Sequence, residues 1–460
     1  MQFSEFDQFC LYMESFANLE KKQSGYTTRL YRLDRMQALL NHIGNPQNDF
    51  KSIHVAGSKG KGSTARFLAQ GLSALGHKTG LYTSPHLTDY RERFTLSGEF
   101  FSEIELVYAA NILYDRLGDF HFEDEWGTAD PTAFELYTSF AFLLFSLSSC
   151  TWAVVETGLG GRLDATNTLL PEASVLTPIE LEHTAILGHS IRQIAVEKSK
   201  IIKPNVPVFI SRQKADAREV FSKEADTQHS RLYDLEAEVE SLATRTCHDA
   251  EHVVITWTHG ERTTLNLSMR GEVQAENCAL ALLVLKKLNL YLPHTTERAL
   301  EQATLPGRME FLGAAPPLII DGAHTVESLR HLLNSFTQLF GNKGNTVIYG
   351  VLDDKDHLHM TQLLLPLFDT IIVSRPGTFK KSNPEALFLL LQKETLTMRE
   401  PPRLFLEKEA DKALQLARGM TSEQGAILCT GSFYLGGEIM RAYQVLVEQE
   451  EDESEAVGCP

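Results

Sequence analysis

Eight residues early in the chain, Gly57-Ser58-Lys59-Gly60-Lys61-Gly62-Ser63-Thr64, have the composition of a phosphate cradle. Glycines let successive backbone N–H groups converge on phosphate oxygens, and a helix starting at such a loop adds partial positive charge there. Lys61 suits neutralisation of charge between the β and γ phosphates, and Ser63 or Thr64 offers a magnesium-ligating hydroxyl. The spacing is not the standard Walker form, because Gly57 lies too near Gly60 and Gly62 stands where the first hydroxyl is expected. A second candidate is Glu156, which closes the apolar run Trp152-Ala153-Val154-Val155 just before a glycine-rich turn. From a strand end of that kind a carboxylate can reach magnesium bridging nucleotide phosphates. The GLGGRL that follows could suggest a dinucleotide fingerprint, but Leu163 occupies the third glycine position and the phosphate loop lies upstream, which disfavours an NAD enzyme.

The elements needed to position these residues are visible in the pattern. IHVA runs into the loop as a strand and ARFLAQGLSALG leaves it as a helix, the order a phosphate cradle requires. Short apolar runs at Ile53–Ala56, Trp152–Val155, Ser174–Leu176 and Val206–Ile210 alternate with helix-like segments, which predicts an α/β domain with a mostly parallel sheet. After the helix-like Ala275–Lys287, Pro306-Gly307-Arg308 breaks the pattern, and strand candidates resume at Leu318–Ile320, Val347–Tyr349 and Thr370–Val373. A domain boundary near residue 304 follows, giving 1–303 and a smaller α/β unit, 304–460. The second unit closes with a strand at Gly425–Cys429, a helix around Gly436–Glu448 and an acidic tail expected to be disordered. No internal repeat appears at solenoid periods.

With 460 residues and 43% hydrophobic content, the chain can bury large cores. Its 43 Lys and Arg against 60 Asp and Glu give a net charge of −17, which opposes adsorption to nucleic acid or anionic lipid. An anionic substrate must therefore meet a local positive site. Cys10, Cys150, Cys247, Cys278, Cys429 and Cys459 show no CxxC pairing, which argues against a disulfide framework or a thiolate zinc site and for a reducing cytoplasm. Glu5 and Asp7 stand where a signal peptide would carry positive charge, so no targeting segment is expected. Leu136–Val155 carries no charge and is long enough to span a bilayer, but its hydroxyl residues and the Ser148-Ser149 break divide it into a helix and a strand.

The loop HVAGSKGKGST resembles the HVAGTNGKGST loop of the folylpolyglutamate synthase/dihydrofolate synthase family, members of the Mur-type ligase superfamily. Leu33-Asp34-Arg35-Met36 and Gly44-Asn45-Pro46-Gln47 upstream resemble family positions. Thr83-Ser84-Pro85-His86-Leu87 resembles the family's TSPHL segment, and the residues from Glu156 to Asn167 resemble its EVGLGGRLDATN. Together these motifs span most of the chain in the family's order. The resemblance implies a P-loop ATPase-like first domain followed by a smaller Rossmann-like α/β domain.

It also implies roles. Gly57 to Thr64 would bind ATP. His183, in EHTAILG, resembles the histidine that ligates a second magnesium, and Ser84 resembles its serine ligand, so that Ser63, Ser84, Glu156 and His183 would serve two Mg2+ ions. Lys198, in VEKSKIIKP, lies where the family carries a lysine that can be carbamylated to a metal ligand; on spacing alone an exposed helix lysine is nearly as good a reading. Thr132-Ala133-Phe134-Glu135 resembles the pterin-contacting TxFE segment, an aromatic ring beside a carboxylate. Core packing competes for Phe134. Leu163, Asp164 and Ala165 would also approach the pterin. Gln274, Asn277, Arg308, Asp321 and His324 resemble positions that grip ATP, and Gly431–Gly436 resembles the family's closing motif.

The implied reaction transfers the γ-phosphate of ATP to a folate or pteroate carboxylate, and the amine of L-glutamate attacks the acyl phosphate. Lys61, His183, Lys198 and Arg308 would be the catalytic residues of a cytoplasmic monomer with small-molecule substrates and no nucleic-acid or membrane partner. The chain departs from the family pattern at Lys59 (usually Asn), Glu182 (Asp), Val273 (His) and Thr325 (Asn), and has Arg91-Glu92-Arg93-Phe94 in place of NERI. These departures leave two rivals open, another Mur-type amino-acid ligase and a non-enzymatic nucleotide switch. A peptidoglycan ligase would carry a UDP-sugar domain before the loop, and only 56 residues precede Gly57.

Overall fold

The computed structural model describes residues 3–17, 32–123, 126–313, 315–377 and 381–457. The chain divides into two compact units. The first comprises residues 1–244, 253–267 and 273–304, and the second 245–252, 268–272 and 305–460.

The first unit is built on an eight-stranded sheet of β1 (Lys51–Ala56), β2 (Thr79–Tyr82), β3 (Phe94–Leu96), β4 (Glu99–Phe100), β5 (Trp152–Glu156), β6 (Ala173–Leu176), β7 (Val208–Ile210) and β8 (Leu232–Asp234). Their order is β4-β3-β2-β5-β1-β6-β7-β8, parallel throughout except at β2–β3 and β3–β4. Strands covered by helices on both faces read as unbroken apolar runs, which is why β1 and β5 were plain in the sequence. β1 is central, with β5 on one side and β6 on the other, and the next strand in the chain, β2, lies beyond β5. A crevice at the carboxyl ends of β1 and β5 is where α/β sheets of this topology bind ligands.

The uncharged stretch 136–155 resolves into the helix Ala133–Leu147 and β5, separated by a turn with Ser149 at φ 55°. The helix is buried on nearly every face. Its Phe140 lies 5.0 Å from Phe94 and 5.4 Å from Phe6, centroid to centroid. Each such fully buried ring contributes about 1.5–3 kcal/mol. No helix among the described residues is long and apolar enough to cross a membrane.

β9 (Val239–Thr246), β10 (Glu251–Trp257) and β11 (Arg262–Leu267) form a separate three-stranded sheet. The second unit holds β12 (Glu310–Leu312), β13 (Leu318–Ile320), β14 (Thr346–Tyr349), β15 (Thr370–Val373), β16 (Arg403–Leu406) and β17 (Ile427–Thr430) in the order β12-β13-β17-β14-β15-β16. Only β12 runs antiparallel to its neighbour. The fold is therefore α/β in both units, as expected. One expectation is corrected: the final helix, Phe433–Val457, continues through the acidic stretch. Its backbone meets no Gly or Pro between Gly437 and Gly458, and glutamate and alanine are good helix formers. Cys459 lies outside the described residues.

Candidate active site

The loop after β1 is shaped by two positions that only glycine fits. A Cβ on Gly57 would lie 1.8 Å from Thr177 Oγ1, and one on Gly60, at φ +79°, would lie 2.2 Å from Asn277 Oδ1. Gly60 is also the N-cap of the helix Lys61–Ala74 and brings no side chain to it. The first N–H groups of that helix have no intrahelical acceptor, and together with the helix dipole they make an anion site. The front of the loop is committed elsewhere. The N–H groups of Ser58 and Lys59 donate to Pro178 O at 2.9 and 3.3 Å, and Ser58 Oγ donates to Glu180 O at 3.2 Å. Of the eight loop residues, the helix-start positions are thus the better phosphate donors.

Register sets Glu156 against Val55, at the end of β1. Its buried carboxylate lies 3.7 Å from Lys61 Nζ through Oε1 and accepts the Ser84 N–H at 3.3 Å through Oε2. Lys61, Glu156 and Ser84, drawn from three separate motifs, therefore converge in front of the helix. Ser63 and Thr64 are both buried in its first turn, and the Thr64 hydroxyl donates to Asn277 Oδ1 at 3.4 Å. Asn277 in turn donates to Gln274 Oε1 at 3.0 Å, which fixes it beside Gly60. His183 stands exposed as the N-cap of the short helix Thr184–Leu187, in a left-handed conformation at φ 46°.

Lys198 is not an exposed helix lysine. It is 2% exposed, donates to Gly57 O at 2.7 Å and pairs with Glu182 Oε1 at 3.0 Å. Burial lowers the Lys198 pKa. Burial would also raise the Glu182 carboxyl, but the charges of Lys198, Lys61, Lys59 and His183 outweigh it and bring it down to about 2. The loop's first carbonyl is thus tied to a buried cation from the helix Ile191–Ser199.

Phe134 and Asp164, two of the residues expected at the pterin, meet the backbone around Gly158. A Cβ there would lie 2.3 Å from Phe134 Cζ, so the half-buried ring rests on the backbone of the turn that leads to Leu163, Asp164 and Ala165. Asp164 accepts N–H bonds from Leu159 at 2.8 Å and Thr166 at 3.0 Å, and burial raises its carboxyl pKa. Thr166 links onward to His54 Nε2 at 2.8 Å. Burial holds His54 down to about 3, so the imidazole is neutral. Glu135 is otherwise engaged. It accepts the Thr132 N–H at 2.7 Å in a capping box and pairs with Arg35 at 3.1 and 3.2 Å. Thr132 and Glu135 thus cap the helix, and Phe134 is the half-exposed member of the segment.

Sequence reasoning gave Arg35 no role, although a charge on the buried stripe Arg35, Met36, Leu39, Leu40, Ile43 was a signal. Its guanidinium also donates to the carbonyls of Trp126, Thr128 and Asp130 and lies over Phe122 at 3.9 Å. Replacing Arg35 with Met leaves Glu135 buried and unpaired, an expected loss of roughly 3–5 kcal/mol in urea unfolding. Adding Glu135→Gln should recover part of it; no loss in the single variant would show the pair to be unimportant.

In the second unit, Asp321 follows β13 and accepts N–H bonds from Met309 at 2.9 Å and Ala323 at 2.8 Å. Burial raises its carboxyl against the opposing charge of Arg308. Arg308 lies over the Phe433 ring at 4.4 Å, and His324 lies 5.9 Å from the same ring, with Nδ1 2.8 Å from Gly322 O. A Cβ on Gly322 would lie 2.2 Å from Phe433. Phe433 is thus the platform for this cluster, a residue that the sequence reading passed over within its closing motif.

A glycine loop between a parallel strand and a helix, with a lysine and a buried carboxylate converging at the helix start, defines a nucleotide-binding unit of P-loop type. Residues 55–285 match the Mur ligase middle domain, and residues 307–433 match the glutamate ligase domain of Mur ligases. The chain is 30% identical to the folylpolyglutamate synthase of Lacticaseibacillus casei over 411 residues, covering 88% of this chain and 92% of that one. It is 27% identical to the dihydrofolate synthetase of Saccharomyces cerevisiae over 439 residues, 89% and 97% of the two chains. Mycobacterium tuberculosis folylpolyglutamate synthase complexed with ADP superposes with a TM-score of 0.84 at 27% identity, over 95% of this chain and 98% of that one. The chain belongs to the folylpolyglutamate synthase/dihydrofolate synthase family of Mur ligases, and it is an ATP-dependent ligase.

Proposed function

We propose that the enzyme joins L-glutamate to the carboxylate of a folate or of dihydropteroate. The observation that carries this reading is the convergence of Lys61 Nζ and the Ser84 N–H on the buried Glu156 carboxylate, in front of a helix capped by Gly60. A carboxylate is a poor electrophile, so its oxygen first attacks the γ-phosphorus of ATP and ADP leaves. The amine of glutamate then attacks the acyl carbon of the acyl phosphate, loses a proton and expels phosphate, giving the amide. Little covalent chemistry falls to the protein, whose task is positioning and charge neutralisation. Helix-start N–H groups and Lys61 stabilise phosphate charge, and Arg308 adds to it as charge develops. Glu156, Ser63 and Ser84 supply hard oxygen donors that suit Mg2+, with His183 for a second ion; bound magnesium would neutralise phosphate charge. With the Thr64 hydroxyl engaged by Asn277, Ser63 is the loop hydroxyl we favour.

Phe134 offers a flat apolar face to a pterin, and Asp164, held by the turn beside it, offers polar recognition. Residues 1–303 then form the ATP- and folate-binding domain, and 304–460 the domain contributing Arg308, Asp321 and His324. The enzyme acts as a monomer in a reducing cytoplasm; the five described cysteines, all free thiols, support the compartment. A phosphate-release assay with ATP, magnesium and glutamate, comparing dihydropteroate with tetrahydrofolate, tests the reading. Turnover dependent on either substrate and on glutamate is expected; turnover with neither refutes the substrate assignment.

Lys59, which stands where the loop pattern HVAGTNGKGST has Asn, is half-buried and its charge reaches Glu182. Two cations then share one anion, and bound ATP relieves their repulsion. Lys59→Asn should weaken ATP binding and flatten its salt dependence, with little change for the folate substrate. Calorimetric titration of ATP at two salt concentrations checks this; equal affinities and equal salt slopes would show Lys59 to be a screened surface charge.

A further inference from the structure

The hairpin joining β9 to β10 carries Cys247, Asp249 and His252, whose ligand atoms all lie within 4.8 Å of one another. It is the one such grouping of three among the described residues. His252 Nε2 is 3.7 Å from Asp249 Oδ1, and the Cys247 thiol is free and half-buried. The backbone that presents them is held from several directions. Cys247 N–H donates to Ala250 O at 2.9 Å, Arg270 donates to the carbonyls of His248 and Asp249 at 2.6 and 3.2 Å, and the buried Glu251 carboxylate accepts the Gly271 N–H at 3.0 Å. The neighbouring His248 ring is turned to Phe340, 5.3 Å away, and stands outside the set. A turn ordered in advance lowers the entropic cost of closing on an ion.

One thiolate, one imidazole and one carboxylate are a borderline-soft donor set, matched to zinc and its neighbours and poorly matched to magnesium, which seeks six hard oxygens. Donors at zinc bond lengths in a tetrahedron stand about 3.3–3.8 Å apart, so side-chain rotation alone can bring these three into place. We propose that Cys247, Asp249 and His252 form a binding site for a zinc-class divalent ion, completed by solvent and separate from the nucleotide site. On binding, the Cys247 S–H bond breaks, its proton passes to solvent and a sulfur–metal bond forms. The other four described cysteines are buried, and burial pushes up their thiols, to about 11 for Cys150 and further for Cys10, Cys278 and Cys429. They do not compete for the ion.

The test is titration of chelator-treated full-length protein with Co(II), read by absorption. A single equivalent should produce a thiolate-to-cobalt charge-transfer band in the near ultraviolet, which Zn(II) removes and excess Mg2+ does not. Cys247→Ser should abolish the band, and His252→Ala or Asp249→Asn should weaken Co(II) binding roughly tenfold or more. Cys459→Ser should leave it intact. Circular dichroism confirms that each variant is folded. Absence of the band in the wild type, its survival in Cys247→Ser or its loss in Cys459→Ser would each overturn the assignment.

Discussion

Lys61→Ala will abolish ligation in a protein that remains folded. The Lys61 side chain is 15% exposed and reaches Glu156 at 3.7 Å, a distance set for neutralising charge and not for filling a core. Removing a preorganised charge from a transition state of this kind costs about 10²–10³-fold in turnover, or more where phosphoryl transfer depends on it. Glu156 keeps the Ser84 N–H but loses a cation 3.7 Å away, a looser pair than Arg35–Glu135 at 3.1 Å, so unfolding by urea should shift measurably without loss of the fold. Steady-state kinetics beside a denaturation curve separate the two quantities. Wild-type turnover in Lys61→Ala would remove the phosphate-loop assignment, and collapse of the fold would make Lys61 structural.

The second large effect is expected at Lys198. Replacing it with Met strands the 15%-exposed Glu182 carboxylate beside an apolar chain, and breaking a buried pair from one side costs roughly 3–5 kcal/mol. It also frees Gly57 O, which Lys198 Nζ holds at 2.7 Å, so ATP affinity should fall together with stability. The pH dependence has a definite sign. Glu182 sits at about 2 in the folded chain against an ordinary 4.5, so its stabilising contribution is complete above pH 4.5 and is lost as the pH falls toward 2. The gap between wild type and Lys198→Met in urea unfolding should therefore be widest near neutral pH and close below pH 4.5. If the lysine is carbamylated, short-chain carboxylates should restore part of the activity of Lys198→Ala. A fully active and equally stable Lys198 variant would contradict the buried pair.

Much of this was visible in the chain itself. The parallel strands β1, β5, β6 and β7 are legible because burial on both faces writes each as a short apolar run, whereas the equally buried β2, Thr-Gly-Leu-Tyr, is not; the loop is legible because glycine spacing and Lys61 report the chemistry directly. Edge strands such as β4 and β8 leave no periodic trace, the first being two exposed residues and the second three half-buried ones. Lys198 could be either a surface or a buried lysine on spacing alone, because its partners, Glu182 and Gly57 O, lie on separate segments that only the sheet brings together. Arg35 was named within a motif but not understood: its hydrogen bonds run to a loop some 90 residues away. A carboxylate beside an aromatic ring fits a heterocycle, which is the basis for reading Glu135 as a substrate contact. The same four letters also fit the capping box and the pair with Arg35 that the structure holds, and the second of these depends on a partner 100 residues away.

The most direct measurement follows an oxygen atom. If the folate or dihydropteroate carboxylate is activated by phosphorylation, enzyme supplied with substrate labelled in its carboxylate with heavy oxygen, together with ATP, magnesium and glutamate, will release inorganic phosphate bearing that label. Mass analysis of the phosphate detects it. Phosphate without label, formed alongside product, would mean that the amide is made without an acyl phosphate, and the assignment of Lys61, Glu156 and Arg308 to that transfer would fall with it.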